Sequence, residues 1–329
     1  MQEDSRNSNQ MVSVVIPAYH EEETIERTVQ VVREHLQKCD IGYEILIVDD
    51  GSRDGTYGKI REMTETEMGI RGIRLSRNFG KEAAILAGLT AARGNAVITI
   101  DADLQHPPDL IPEMIRRWRR GVKVVHAVKR SRAGDGFLAR QRAALFNKVM
   151  TRFGGIDMQN ASDFKLLDRV AVDMVAVGLR ERSRFFRGLA QWVGYEQESI
   201  PFDVASRHSG QGKWSLRALF DLGITAFVSF TTDPLRIVMF LGLATLVFAV
   251  FVAAETFWSV YRGRSVSGFA TLEITILLIG SFVMISLGIL GEYIAKIYEE
   301  TKARPTYIVS SRCGFTEDER PNPPDAVNA

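Results

Sequence analysis

The chain has 329 residues, room for one large domain and a further segment, and sets 41 basic side chains against 40 acidic ones. That balance gives no overall attraction to nucleic acid. Its two cysteines, Cys39 and Cys313, stand far apart and outside any Cys/His cluster, which excludes a disulfide framework and a structural zinc site.

The opening MQEDSRNSNQ, residues 1–10, is polar and reads as disordered. It holds no apolar stretch of signal-peptide type, so the domain after it is expected to stay in the cytoplasm. Over 11–215 strand-like and helix-like patterns alternate. Strands are expected at 12–19 (VSVVIPAY), 44–50 (EILIVDD), 70–76 (IRGIRLS), 96–103 (AVITIDAD) and 123–129 (KVVHAVK). Amphipathic helices are expected near 22–37, 56–67, 81–92 and 109–120. The strands are near-continuous apolar runs, as when both sheet faces are covered. The fold class is therefore α/β, Rossmann-like, with a mostly parallel sheet and ligands at the carboxyl ends of its strands.

Polar residues gather at those ends: Tyr19-His20-Glu21, Asp49-Asp50-Gly51-Ser52, Ser76-Arg77-Asn78 and Asp101-Ala102-Asp103. In VITIDADLQHPPDLIPEMI (97–115), Asp101 and Asp103 would share one strand face, about an ion's width apart. Two carboxylates so placed repel unless a cation sits between them. Mg²⁺ is suited to that place, since it keeps one or two protein carboxylates plus substrate phosphates. KRSRAGDGFLARQR (129–142) and RHSGQGKW (207–214) add basic residues of the kind that receive phosphate.

A membrane-interface helix is expected over 216–232, and a two-span region over 233–297. Ile237–Ala254 and Ile274–Gly291 carry no charge and have the length class of transmembrane helices. Basic residues outnumber those of the short linker on the flanks of the pair, which puts both ends in the cytoplasm. Small residues in the second span (Gly280, Ser281, Gly288, Gly291) would permit close helix packing and a homo-oligomer. The cytoplasmic tail, 298–329, ends in a polar stretch from Ser310 that reads as disordered.

VVIPAYHEEETI, VDDGSRDGT, LSRNFGKEAAILAGL and DADLQHPPDLI, in that order and spacing, resemble the family 2 inverting glycosyltransferases of GT-A fold. ASDFKLLDR, RFFRGLAQWVGY and the paired spans narrow the resemblance to bacterial polyprenyl-phosphate glycosyltransferases, the GtrB-type bactoprenol glucosyltransferases, related to dolichol-phosphate mannose synthases. It covers roughly 11–310. It implies transfer of one sugar, with UDP-glucose the first choice of donor, to undecaprenyl or another polyprenyl phosphate at the inner membrane. By the resemblance, Pro17, Ala18, Tyr19 and Glu21 line the nucleotide pocket and Asp49 recognises the base. Asp50, Asn78, Lys81, Asp101 and Ala102 complete the donor site. Asp101, Asp103 and Gln105 hold Mg²⁺ or Mn²⁺, and Asp163 is the acid near the reacting centre. Arg130, with Arg140 or Arg142, and Arg207 and Lys213 receive the acceptor phosphate.

A phosphate monoester has its second pKa near 6 and is mostly a dianion at neutral pH, which leaves two roles for Asp163: base, or electrostatic positioner. Two other functions compete. A processive polysaccharide synthase would carry a Q-x-x-R-W motif, which AQWVGY (190–195) lacks, and more spans. A non-catalytic membrane scaffold would be expected to have lost the acids at 101, 103 and 163.

Overall fold

The computed structural model describes residues 10–129, 161–179, 181–182, 184–202, 233–263 and 268–316. They form two compact units: one holds the described residues up to Phe202 and from Arg304 onward, the other those from Asp233 to Ala303.

The first unit is built on eight strands: β1 (Met11–Ala18), β2 (Gly42–Asp49), β3 (Ile70–Leu75), β4 (Ala96–Thr99), β5 (Val124–Lys129), β6 (Ala161–Asp168), β7 (Gln197–Phe202) and β8 (Val309–Cys313). They make one sheet in the order β7-β5-β6-β4-β1-β2-β3-β8. The four central strands, β4, β1, β2 and β3, are parallel to one another, and β5 is parallel to β7. β6 and β8 run antiparallel to their neighbours. The expected α/β class with a mostly parallel sheet is what the chain forms. After β1 the chain steps outward to β2 and β3, then returns to place β4 on the other side of β1. Such a reversal opens a crevice at the carboxyl ends of the two strands, where α/β proteins bind ligands.

Helices α1 (Ile25–Gln37), α2 (Thr56–Thr66), α3 (Lys81–Ala91) and α4 (Ile111–Arg119) cover the sheet, and the short α5 (Arg169–Asp173) and α6 (Phe186–Trp192) follow β6. In α1, Ile25, Thr28, Val29, Val32 and Leu36 recur at helical spacing and are buried. In α3 every residue from Ala83 to Leu89 is buried, so this helix is packed around most of its circumference. Gly88 explains how close it lies to the sheet: a methyl group there would sit 2.2 Å from Cγ1 of Val15 on β1. α3 sets Lys81 and Glu82 at its first turn, so its seating on β1 positions the site.

Three strands were not foreseen. β6, ASDFKLLD, has both faces buried along most of its length, and its buried Ser162, Asp163 and Lys165 break the apolar run by which a strand covered on both faces is read. β7 precedes the basic sequence at 207–214. β8 lies in the segment expected to be disordered. Its residues are polar, but an edge strand is held by backbone bonds to β3 and needs no apolar side chains of its own. A fourth difference concerns β4, which stops at Thr99 and does not run on to Asp103.

The second unit contains α7 (Asp233–Tyr261) and α8 (Phe269–Thr301), which pack on each other. Their segments Phe240–Ser259 and Thr275–Thr301 are long and apolar enough to cross a membrane. Large apolar side chains along them face outward, Phe240 at 61%, Val247 at 63% and Leu277 at 63% exposure, a surface that water does not favour. Both segments extend further toward the C-terminus than the charge-free runs did. The expected interface helix at 216–232, the N-terminal residues 1–9 and the tail beyond 316 lie outside the described residues.

Replacing Gly88 with Ala is expected to cost about 1–3 kcal/mol by overpacking, read as a lower thermal midpoint in detergent. The double variant Gly88→Ala, Val15→Ala should lose less than the sum of the two single losses, because the second change clears the space the first one needs.

Candidate active site

At the carboxyl ends of β1, β2 and β3 opens a cleft of about 430 Å³ lined by Tyr19, Gly51–Arg53, Arg74–Asn78 and Ser310. Turns build its rim. His20 follows β1 with a positive φ of 57°, donates its N–H to Ser52 Oγ at 3.0 Å and stacks its ring on Tyr19 at 4.1 Å. Gly51 has φ 72°, and a Cβ there would meet the Arg77 carbonyl carbon at 2.4 Å, so only glycine lets the β2 turn lie against the loop after β3.

The two aspartates closing β2 do different work. Asp49 is fully buried; its Oδ1 accepts from Ser52 N–H at 3.0 Å, and Oδ2 lies 3.2 Å from Arg74 Nε. Asp50 accepts from both Phe79 N–H and Gly80 N–H at 2.8 Å, tying the loop to the start of α3. Both oxygens of Asp50 are therefore engaged by backbone. Burial pushes its pKa up, and those two bonds work against the rise.

Beyond Thr99 the chain makes a turn in which Leu104 takes φ 54°. Thr28 Oγ1 pins this turn by donating to Ala102 O at 2.6 Å, and Gln105 N–H donates to Asp103 Oδ1 at 3.1 Å. The strand-face argument for Asp101 and Asp103 thus does not hold, because β4 has ended before them. The turn nonetheless brings their carboxylates together, with ligand atoms of Asp101, Asp103 and His106 all within 4.8 Å of one another. Pro17 and Ala18 end β1, where Ala18 O accepts from Asp50 N–H at 2.9 Å, and Ala102 lies within the turn itself. His106 was not foreseen. It sits 3.6 Å from Asp101 Oδ2 through Nδ1, with its ring set against Phe164 and Phe202. Nearby, burial raises the pKa of Glu21, opposed by its bond from Thr24 and increased by Asp103 and Asp101. Three carboxylates facing one region make a place for a cation. Two carboxylates with an imidazole form a donor set that suits Mg²⁺ less than Mn²⁺, which accepts nitrogen more readily.

Asp163 is the most heavily bonded of the foreseen residues. It lies on β6 and is 4% exposed. Arg187 on α6 (Phe186–Trp192) grips it with two bonds, Nε to Oδ1 at 2.6 Å and Nη2 to Oδ2 at 2.7 Å. Lys81 Nζ reaches the same Oδ2 at 2.6 Å and Asp101 Oδ1 at 2.6 Å, bridging the two acids. Burial works to raise the pKa of Asp163, but Lys81 and Arg187 outweigh it and hold the carboxyl far below the usual range. Lys165, two residues along on the same face of β6, is buried; burial lowers its pKa to about 8, against the pull of Asp163. It approaches the Arg187 carbonyl at 3.4 Å. Opposite charges at i and i+2 of β6 therefore realise the same-face spacing that the two acids after β4 do not. Glu82 accepts from Phe186 N–H at 2.8 Å and so sets the start of α6.

Arg187, Glu82 and Lys165 were not foreseen as site residues. Only the RFFRG string held a signal for the arginine, and nothing local ties it to residue 163. Asn78 lines the cleft. Arg130, Arg140, Arg142, Arg207 and Lys213 lie outside the described residues, so their expected place at an acceptor phosphate stays an expectation.

Residues 13–173 match the family model for glycosyl transferase family 2. The glycosyltransferase sll0501 of Synechocystis sp. is 42% identical over 309 residues, 92% of this chain and 96% of its own. The prophage bactoprenol glucosyl transferase homolog of Escherichia coli is 35% identical, across 91% of this chain and 98% of its own. The bactoprenol glucosyl transferase of Shigella phage SfX is also 35% identical, across 92% and 99%. Among solved structures, glucosyl-3-phosphoglycerate synthase of Mycobacterium tuberculosis with uridine diphosphate aligns at 20% identity, with a TM-score of 0.46, over 70% of this chain and 82% of that one.

Burial, reinforced by the charge of Asp163, raises the pKa of Glu82 from 4.5 to about 7. The folded chain thus holds a proton that the unfolded chain releases near 4.5, and stability falls as pH rises from there through about 7. Glu82→Gln keeps an acceptor for Phe186 N–H and removes the titration. It is expected to match the parent's stability near pH 5 and exceed it at pH 8 by about 1–3 kcal/mol, read as a higher thermal midpoint at the higher pH, since each unit of pKa displacement is worth ~1.4 kcal/mol. Equal midpoints at both values would contradict that burden.

Proposed function

The chain belongs to glycosyltransferase family 2, and from that premise we propose that it transfers a single glucosyl residue from UDP-glucose to polyprenyl phosphate, with inversion and with a divalent metal. The glucosyl group and the lipid acceptor follow the names of its bactoprenol glucosyl transferase relatives. The observation that carries the mechanism is the charge arrangement of the site. Asp163 is held as an anion by Arg187 and Lys81, and Lys81 joins it to the acidic turn at 101–106.

In this reading the cleft at Tyr19, Arg53, Arg77 and Asn78 seats the donor's nucleoside end, and Asp101, Asp103 and Gln105, with His106 beside them, hold Mg²⁺ or Mn²⁺. The metal supplies Lewis-acid neutralisation of the diphosphate oxygens. Asp49 acts on the donor through the arginine it orients, Arg74. An acceptor phosphate oxygen attacks the anomeric carbon. The bond from that carbon to the diphosphate breaks, and the nucleoside diphosphate leaves with the electron pair. Inversion follows from a single in-line displacement. The acceptor arrives mostly as a dianion, since its second pKa is near 6, so no proton need be removed. Asp163, already ionised and with both oxygens engaged by cations, suits a positioning role, holding Lys81 and Arg187 where the anionic donor and acceptor meet, better than it suits a base. Arg130, with Arg140 or Arg142, and Arg207 and Lys213 are assigned to the acceptor phosphate.

The two apolar helices are assigned to the cytoplasmic membrane as a pair of spans. β8 follows them in sequence and pairs with β3 of the catalytic sheet. A chain that leaves that sheet and returns to it has crossed an even number of times. Both flanks of the pair then share one side, the cytoplasmic one where nucleotide sugars are made.

The test is transfer by the detergent-purified full chain to undecaprenyl phosphate from a panel of labelled UDP- and GDP-sugars, with Mg²⁺, with Mn²⁺ and with chelator. Lipid-extractable label from UDP-glucose, lost with chelator, is the expected result. Asp101→Asn should lower turnover by about 10²-fold or more, as expected when stabilisation of transition-state charge is lost. Transfer that persists in chelator, or label only from another donor, would overturn the corresponding part.

A further inference from the structure

The donor cleft has a wall that comes from the far end of the chain. Ser310 lies on β8, beyond the two apolar helices in sequence, yet it lines the cleft beside Arg74–Asn78. The β3–β8 ladder pairs Arg74 with Ser311 and Leu75 with Val309, so its register shifts at Ser310. A residue left over in this way is a bulge, a device that re-aims a side chain at the end of a ladder. The Ser310 hydroxyl is spent on the β3 end: it donates to Arg74 O at 3.1 Å and lies 3.4 Å from Leu75 O. One residue earlier in the tail and one later in the sheet, Ser76 N–H donates to Ile308 O at 2.8 Å.

These contacts fix one end of the loop 76–78, and the bonds from Phe79 and Gly80 to Asp50 fix the other. β8 also steadies Arg74. The guanidinium lies 4.9 Å from the ring of Tyr57, donates to Ser52 O at 2.8 Å and pairs with Asp49. The phenol of Tyr57 in turn interacts with the side chains of Ser311 and Cys313 on β8. Arg74, Arg77 and Asn78 all line the cleft; the returning strand holds Arg74 directly and Arg77 through its neighbour Ser76.

We propose that the returning strand β8 is a working part of the donor site, and that Ser310 is a positioning residue whose hydroxyl sets the conformation of 74–78 for binding a nucleoside diphosphate. The proposal rests on the reading of the cleft as the donor's nucleoside site and adds that this site is complete only with the segment that follows the second apolar helix.

The isosteric pair Ser310→Val and Ser310→Thr separates the hydroxyl from the shape, since both are β-branched and suited to a strand. UDP binding to the detergent-purified full chain and steady-state transfer are the two readouts. Ser310→Val is expected to weaken UDP binding and raise the donor KM about fivefold to tenfold, with kcat and the KM for undecaprenyl phosphate little changed, as the loss of one hydrogen bond of ~1–1.5 kcal/mol implies. Ser310→Thr should behave as the parent does. A general weakening of the fold would instead lower kcat and the thermal midpoint in both variants alike, and that result would overturn the proposal.

Two bulky substitutions distinguish the proposal from the reading beneath it. Asn78→Trp, on the exposed loop, and Ser310→Trp should each block UDP. Loss with Asn78→Trp but no effect of Ser310→Trp or Ser310→Val would overturn the role of β8 and leave the cleft as the donor site. Intact UDP binding in both tryptophan variants would overturn the cleft assignment and the proposal together.

Discussion

A carboxylate cannot remain charged in a protein interior without partners, and the site is organised around that constraint. Asp163 sits on β6, an interior strand of the sheet, away from water. An unpaired charge there would cost several kcal/mol and would instead take up a proton. Arg187 and Lys81 prevent this, and each is itself held in place: Arg187 by the start of α6, which Glu82 anchors, and Lys81 by the first turn of α3 and its second bond to Asp101. The glycine at 88 that lets α3 approach β1 therefore belongs to the same device as the acid it serves. Burial of Glu82 and Lys165 beside this group displaces both of their pKa values toward neutrality, each disfavouring its own charged form.

The same cluster orders the chemistry. Lys81 Nζ bonds both Asp163 and Asp101 of the acidic turn, so a charge brought to Asp101 acts on the same ammonium that holds Asp163. Charge compensation of this kind suits a reaction in which an anionic acceptor must approach an anionic donor. Electrostatic stabilisation by groups fixed in advance is worth most where water is excluded. A metal at the acidic turn and arginines on the acceptor side would complete that compensation.

How much of this was legible in the sequence follows from range. Apolar runs with polar ends marked the first five strands and the α/β class, because strand burial and helix amphipathicity are local patterns. Asp101 and Asp103 were recognised for their closeness, but the strand-face reason was mistaken: β4 ends at Thr99, and a turn pinned by Thr28 brings them together. His106 follows that turn within three residues, hidden by the two prolines after it. β6 is hard to read because Ser162, Asp163 and Lys165, all buried, interrupt the apolar run that marks the other strands covered on both faces. Arg187, Glu82 and Lys81 meet Asp163 across long stretches of chain, and no local spacing encodes such contacts. β8 looked disordered because its composition is polar. Its structure comes from the unpaired edge of β3, information that lies more than two hundred residues away.

The account's central claim is that Asp163 acts by charge and takes no proton in the chemical step. The solvent deuterium isotope effect on single-turnover transfer from UDP-glucose to undecaprenyl phosphate, measured on the purified full chain at a pH where the acceptor is a dianion, tests it most directly. A ratio near unity is the result the account requires, because no proton is in flight as the sugar–phosphate bond forms. A large normal effect that disappears in Asp163→Asn would show that this carboxylate removes a proton and would contradict the account.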